Sequence, residues 1–144
     1  MSKVITTDSE LAELLSKTKR VAVVGISDKE DRPSNGVSRW LQKNSHFEVY
    51  FVNPTLTTVL GNPCYASLAD IPVQIDMVDI FRSSEAALEV TEEAIALGTK
   101  VVWMQLEIIN QQAAKLAAAA GIKVVMNRCP KIELQKSYWT SRLA

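Results

Sequence analysis

The sequence predicts an α/β fold, a doubly wound open parallel sheet of about five strands with helices on both faces. Two observations carry this expectation. Five short runs, "VAVVG" (residues 21–25), "VYFV" (49–52), "MVDIF" (77–81), "KVVWMQ" (100–105) and "KVVM" (123–126), are β-branched and nearly continuous in apolar residues rather than alternating. Strands of that kind are covered on both faces, as in a parallel sheet. Helical segments lie between most of them, which implies right-handed crossovers. With the five runs numbered along the chain, the expected order is 3-2-1-4-5.

Each helix has its own signal. In "TDSE", Thr7 and Glu10 stand at capping-box spacing, and Leu11, Leu14 and Leu15 follow as an apolar stripe. A second helix carries Val37, Trp40 and Leu41 on one face, with Ser34 or Asn35 as its N-cap. "SSEAALEVTEEAIALG" starts at a serine cap, aligns Ala87, Val90, Ala94 and Leu97, and stops at Gly98. "NQQAAKLAAAAG" repeats the scheme from Asn110 to Gly121. Between the second and third runs, "NPTLTTVLGNPCYASLADIP" shows no helical periodicity, so that crossover is expected to be irregular or to hold only a short turn.

Bulk properties narrow the function classes. The chain has 144 residues, 47% hydrophobic and 22% charged, which suits one domain spanning residues 1–144 with a packed core. Its 16 basic and 16 acidic residues balance, giving no strong field for nucleic acid or an anionic membrane. No signal-type h-region or span-length apolar run is present, so a cytoplasmic location is expected. Cys64 and Cys129 lack metal-site or disulfide spacing and read as small buried hydrophobes.

In an open parallel sheet, ligands bind outside the carboxyl ends of the strands, where the strand order reverses. The exits to consider are therefore "GISDKEDRPS", Asn53-Pro54, "FRSS", "QLE" and "NRCP". Gly25 permits a sharp turn and close approach, and the amides of Ile26, Ser27 and Asp28 can face an anion. Arg32 adds a phosphate donor, and Ser34 adds a hydroxyl at a helix start. The alternative is an ordinary βα turn with a solvated "DKEDR" loop. A dinucleotide site would show GxGxxG here and an acidic residue roughly 20 residues later; the loop has one glycine, and the second strand ends in neutral Asn53-Pro54. That disfavours NAD and tolerates a phosphorylated adenosine, although the pair also suits a plain turn. Phe81 and Arg82 follow the third strand, where Arg82 either meets a polar ligand arm or pairs with a carboxylate such as Asp79. Gln105 ends the fourth strand with an amide able to hydrogen-bond an amide-containing ligand, or simply to be solvated. Trp103 belongs to the core.

"GISDKEDRPSNGV", "VNP", "LGNPCYASLADIP", "DMVDIFR", "VVWMQLEI" and "GIKVVMNRCPKIE" resemble, in order and spacing, the small stand-alone CoA-binding proteins of bacteria and archaea. Those are similar to the N-terminal CoA-binding domain of the succinyl-CoA synthetase α subunit. The resemblance runs from about Arg20 to Glu133 and implies a Rossmann-like domain holding CoA or acyl-CoA. It implies that Gly25, Ile26, Ser27, Arg32 and Ser34 belong to the pyrophosphate loop and that Asn53 and Pro54 lie near the adenosine. Phe81, Arg82 and Gln105 would line the pantetheine path. Two positions depart from the family pattern: Glu107 stands where glycine is common, and Leu134 where a histidine often follows "KIE". The tail "QKSYWTSRLA" runs on beyond the resemblance.

A catalyst needs a nucleophile with a base, an acid/base pair or a metal. The single histidine, His46, falls between the second helix and second strand, on the amino side of the sheet, and Cys129 has no histidine near it in sequence. The expectation is a CoA or acyl-CoA binding module without catalytic machinery of its own, a sensor or regulatory partner. A nicotinamide-dependent reductase and a receiver-like signalling domain, with Asp28 and Asp79 as its acidic residues, are the alternatives.

Overall fold

Val21, Ala22 and Val23 are fully excluded from solvent, which requires cover on both faces and places their strand mid-sheet. The computed structural model describes residues 3–143. In chain order the elements are α1 (Asp8–Lys17), β1 (Arg20–Val24), α2 (Pro33–Asn44), β2 (Glu48–Val52), β3 (Thr58–Val59) and β4 (Asn62–Tyr65). A 3-10 turn (Leu68–Asp70) leads to β5 (Met77–Ile80), α3 (Ala86–Ala96), β6 (Val101–Met104), α4 (Gln111–Ala119), β7 (Lys123–Val125), α5 (Pro130–Glu133) and α6 (Ser137–Thr140). Among the described residues, no helix is long and apolar enough to cross a membrane.

The sheet has seven strands in the order β3-β4-β2-β1-β5-β6-β7, parallel throughout except for the pairing of β3 with β4. It is the expected Rossmann-like open sheet with two further strands. The third place in the 3-2-1-4-5 order is filled by β4, a strand that lies inside the crossover expected to be irregular. The run at Met77–Ile80 thereby becomes fourth and pairs with β1. Pro63 within β4 is compatible with a short strand beside the sheet edge. Leu60 and Gly61, both at positive φ, make the two-residue turn from β3 into β4, the geometry that matches strand twist.

Alternate residues of β1 face opposite sides. Ala22 and Val24 join Val78, Ile80, Val102 and Met104 beneath α3 and α4, whose Ala87, Ala94, Ala113 and Ala117 let the helices approach closely. On the other face Val21, Met77 and Trp103 pack against Leu11, Leu14 and Leu15 of α1, Leu41 of α2, and Leu134 and Trp139 of the tail. The unmatched tail is thus part of the core, and Leu134 fills its position as a buried apolar residue.

The helix signals fall on the expected residues with four changes, one of them at α3, where Glu85 precedes the helix without a side-chain cap bond and Ser83 Oγ accepts from Ala86 N at 3.2 Å. At α1 the Glu10 amide donates to Thr7 Oγ1 at 3.2 Å, while the Thr7 hydroxyl donates to Glu10 Oε1 at 2.8 Å, so the return bond runs between side chains. At α2 the helix starts at Pro33 with Arg32 as N-cap, which puts Ser34 and Asn35 inside the first turn and frees their side chains for other work. Leu97 lies beyond α3 and is exposed. The Asn110 and Gly98 assignments hold: Asn110 Oδ1 accepts from Ala113 N at 2.8 Å, and Gly98 sits at φ +72.

Two backbone positions have opposite chemistry. Gly25 adopts φ +96, and a Cβ there would lie 3.0 Å from the Phe81 carbonyl oxygen and 3.1 Å from its carbon. Glu107 adopts φ +68, a glycine-type conformation, with its side chain exposed. Gly25→Ala should therefore cost about 2 kcal/mol or more, combining the left-handed penalty with a backbone clash. Glu107→Gly should stabilise by up to about 1 kcal/mol, because glycine relieves the same penalty while losing more chain entropy. Urea denaturation reads both signs; a Gly25→Ala protein as stable as its parent would refute the close-approach argument.

Candidate functional site

The exits of β1, β2 and β5 meet around Gly25. Its amide donates to the Val52 carbonyl at 3.0 Å, and the Phe81 amide donates to the Val24 carbonyl at 2.9 Å. Beside this junction a cavity of about 400 Å³ opens, lined by Gly25, Asn53, Pro54 and Arg82 among the expected residues. Its remaining polar lining comes from Ser67, Glu89 and Glu93, none of which sequence reading singled out. Ser67 arrives from the crossover after β4. Glu89 and Glu93, one helical turn apart, carry α3's polar edge to the cavity. Their spacing was a readable helix signal, but only the tertiary fold brings them to the site.

The loop after β1 is held at several points. Ser27 N donates to Ser34 Oγ at 3.0 Å, and Asn35 Nδ2 donates to Ser27 O at 2.9 Å. Lys29 N donates to Ser27 Oγ at 3.1 Å, and Arg39 Nη2 donates to Glu30 O at 3.3 Å. Arg39 is itself anchored through Nε on Asn35 Oδ1 at 2.8 Å. Ser34 and Asn35, expected to cap α2, instead tie its first turn to the loop. Of the three loop amides expected to face an anion, that of Ser27 is used inside the loop, whereas those of Ile26 and Asp28 find no acceptor among the described residues. Arg32 stands exposed at the helix start and Arg82 exposed at the β5 exit. Neither forms an ion pair among the described residues, so the Arg82–Asp79 alternative is absent.

Three expected site residues turn away from the crevice. Ile26 is fully buried with Val23, Phe51 and Val59, and Phe81 packs half-buried against the same group. The carbonyl of Ile26 accepts from Asn53 Nδ2 at 2.7 Å, while Asn53 Oδ1 accepts from Thr55 N and Oγ1, both at 2.8 Å. Asn53 therefore joins two strand exits with its whole side chain. Gln105 is also buried, at 4% exposure, and lies against Asp79 rather than along the cavity. With the Gln105 amide nitrogen turned toward it, the nitrogen is 3.0 Å from Asp79 Oδ1 and 3.2 Å from Oδ2.

Asp79 is fully buried between Val23 of β1 and Trp103 of β6 in register, with no ion-pair partner among the described residues. Burial lifts its carboxyl well above the usual carboxylate range. Cys64 is half-buried on β4, less enclosed than expected, and burial pushes its thiol up; Cys129 is buried as expected. His46 sits at the amino side, its Nε2 2.9 Å from Leu15 O and its ring stacked on Trp139. Among the described residues no group of three potential metal ligands occurs. Another hollow, of about 370 Å³, opens at the amino ends of the strands, between Lys17, Asp76, Lys100 and Lys123, and contains none of the expected residues.

Comparison with known proteins identifies the family. The family model described as CoA binding domain matches residues 19–135. A Bacillus subtilis protein, YneT, is 38% identical over 124 residues, covering 86% of this chain and 91% of the relative. A structure from Pyrococcus horikoshii, described as a hypothetical protein, superposes with a TM-score of 0.87 at 41% identity, covering 90% of this chain and 91% of that one. Acetate–CoA ligase (ADP-forming) I of Archaeoglobus fulgidus is 29% identical over 127 residues, 81% of this chain but only 18% of the ligase.

Asp79 generates a pH prediction. Because its folded pKa is raised, the native state holds the proton more tightly than the unfolded chain. The stability this contributes is full below the unfolded carboxylate pKa and is lost as pH rises through the folded one. Asp79→Asn removes that loss while keeping an acceptor for Gln105. The variant's advantage over the parent should grow from about pH 4 upward by at most about 1.4 kcal/mol per pH unit, then level off. Parallel denaturation curves across pH check this, and a pH-independent difference would refute it.

Proposed function

The chain belongs to the CoA-binding domain family, and from that premise we propose that it acts as one CoA-binding domain, gripping CoA at the carboxyl edge of the sheet. The observation that carries the reading is the convergence of Gly25, Asn53, Pro54 and Arg82 on one cavity beside a pinned loop, with neither Arg32 nor Arg82 in an ion pair among the described residues. The pyrophosphate lies against the loop, taking donors from the Ile26 and Asp28 amides, the first turn of α2 and Arg32. Ser27 and Ser34 hold that loop in shape. The adenosine occupies the cavity between Pro54 and α3, with Arg82 toward its phosphate. The pantetheine arm leaves across the exits of β5 and β6, over Phe81 and the buried Gln105.

We read this as a binding module, a sensor or regulatory partner, rather than a catalyst. The ligase relative joins acetate to CoA, but this chain spans less than a fifth of it. The nicotinamide alternative is weakened at β2, which ends in an amide already engaged on both sides instead of a carboxylate. The receiver-like alternative needs an accessible aspartate, and Asp79 is sealed inside the sheet.

Thermal unfolding with CoA, acetyl-CoA, dephospho-CoA, NAD, NADP and ATP tests the reading, since a ligand of the native state raises apparent stability. CoA should stabilise, and dephospho-CoA should do so less. Arg32→Ala and Arg82→Ala should each weaken CoA binding roughly tenfold or more, the worth of a charged hydrogen bond. Stabilisation by NAD or NADP alone would overturn the assignment.

A further inference from the structure

The carboxyl edge carries a second recess. Outside the exits of β6 and β7 lies a cavity of about 390 Å³, walled on its apolar side by Val4, Ile5, Leu106, Met126 and Ile132. Leu106 and Ile132 are 49% and 44% exposed, a high fraction for large aliphatic side chains facing one hollow. The polar rear is already satisfied within the protein. Glu133, 2% exposed, accepts from Arg128 Nη1 at 3.4 Å and Tyr138 Oη at 2.9 Å on one oxygen, and pairs with Lys136 Nζ at 2.9 Å on the other. Arg128 Nη2 also donates to Thr6 O at 3.1 Å. The two exits are fixed to each other by Glu107 N–H, which donates to Asn127 Oδ1 at 2.7 Å.

The position of this recess relative to the CoA crevice suggests its occupant. β1, β5, β6 and β7 are successive neighbours. The loop after β1 and the exit of β7 are thus three inter-strand steps apart, about 14 Å. A pantetheine arm has the backbone length of about four residues and reaches about 14 Å when extended. An arm that starts from phosphates at the β1 loop and follows the carboxyl edge therefore brings its sulfur to the mouth of the recess.

We propose that this recess receives the acyl group of an acyl-CoA and selects uncharged, apolar acyl chains. The proposal rests on the CoA reading above. The apolar wall supplies the attraction. A carboxylated chain gains less from this wall, because its carboxylate has to be desolvated to enter and both nearby cations, Arg128 and Lys136, are already paired with Glu133.

Calorimetric titration of the full chain with CoA, acetyl-CoA, butyryl-CoA, hexanoyl-CoA and succinyl-CoA tests it. Affinity should climb from CoA to hexanoyl-CoA by about three- to fourfold per methylene that becomes buried, and succinyl-CoA should bind no more tightly than CoA. Leu106→Asp and Ile132→Asp change exposed positions, so folding should survive, as their melting temperatures would verify. Within each variant the ratio of hexanoyl-CoA to CoA affinity should collapse toward one. CoA binding with no chain-length gradient would overturn this proposal alone, as would a gradient that persists in both variants or a preference for succinyl-CoA. Failure of the parent protein to bind CoA at all would remove the CoA reading and this inference with it.

Discussion

The carboxyl edge can be assembled only because residue 25 has no side chain. Its backbone passes so close to the Phe81 carbonyl that a Cβ would sit 3.0 Å from that oxygen and force a neighbour to give, while its own amide reaches across to β2. Three strand exits are joined at that point. The loop beyond can then fold back over β1, where Ser34, Asn35 and Asn53 bind it through their side chains. One glycine suffices because the close approach is between strand exits; the rest of the loop is shaped by hydroxyls and amides. Its order before any ligand arrives lowers the entropy that binding would otherwise have to supply.

The parts of this architecture that were legible in the sequence are those set by local periodicity. The β-branched runs read as strands because burial on both faces leaves no polar alternation, and the stops at Gly98 and Gly121 read as helix ends because both require positive φ. The strand Asn62–Tyr65 was not legible. It is four residues long, contains proline, lies near the sheet edge and is only partly buried, so no pattern sets it apart from a loop. With it omitted, the Met77–Ile80 strand is expected at the edge beside β2, whereas it lies on the other side of β1 and pairs with it.

At the site, residue type was a better guide than residue role. Ser34 and Asn35 have the chemistry of caps, but the helix starts at Pro33, two or three positions earlier than either cap implies, and turns them toward the loop. Gln105 reads as an amide offered to a ligand because nothing local announces that its neighbour across the sheet is a buried acid. Asp79 is costly as an ion, so burial makes it hold its proton more tightly than an exposed carboxylate would, with the buried Gln105 amide as its neighbour. Ser67, Glu89 and Glu93 come from segments distant in sequence and meet only in the folded chain.

The rims of the sheet have a consequence for assembly. One rim ends in the two-residue β3, and the other, β7, is already flanked by the N-terminal segment, where Ile5 N donates to Val124 O at 2.8 Å and Val124 N donates to Lys3 O at 2.9 Å. Short or occupied borders give a neighbouring molecule little backbone to pair with, which protects against end-to-end stacking of sheets. Copies of this chain that associate would therefore have to meet through helices and loops. That keeps quaternary contacts in the hands of side chains, which can diverge among relatives without disturbing the sheet.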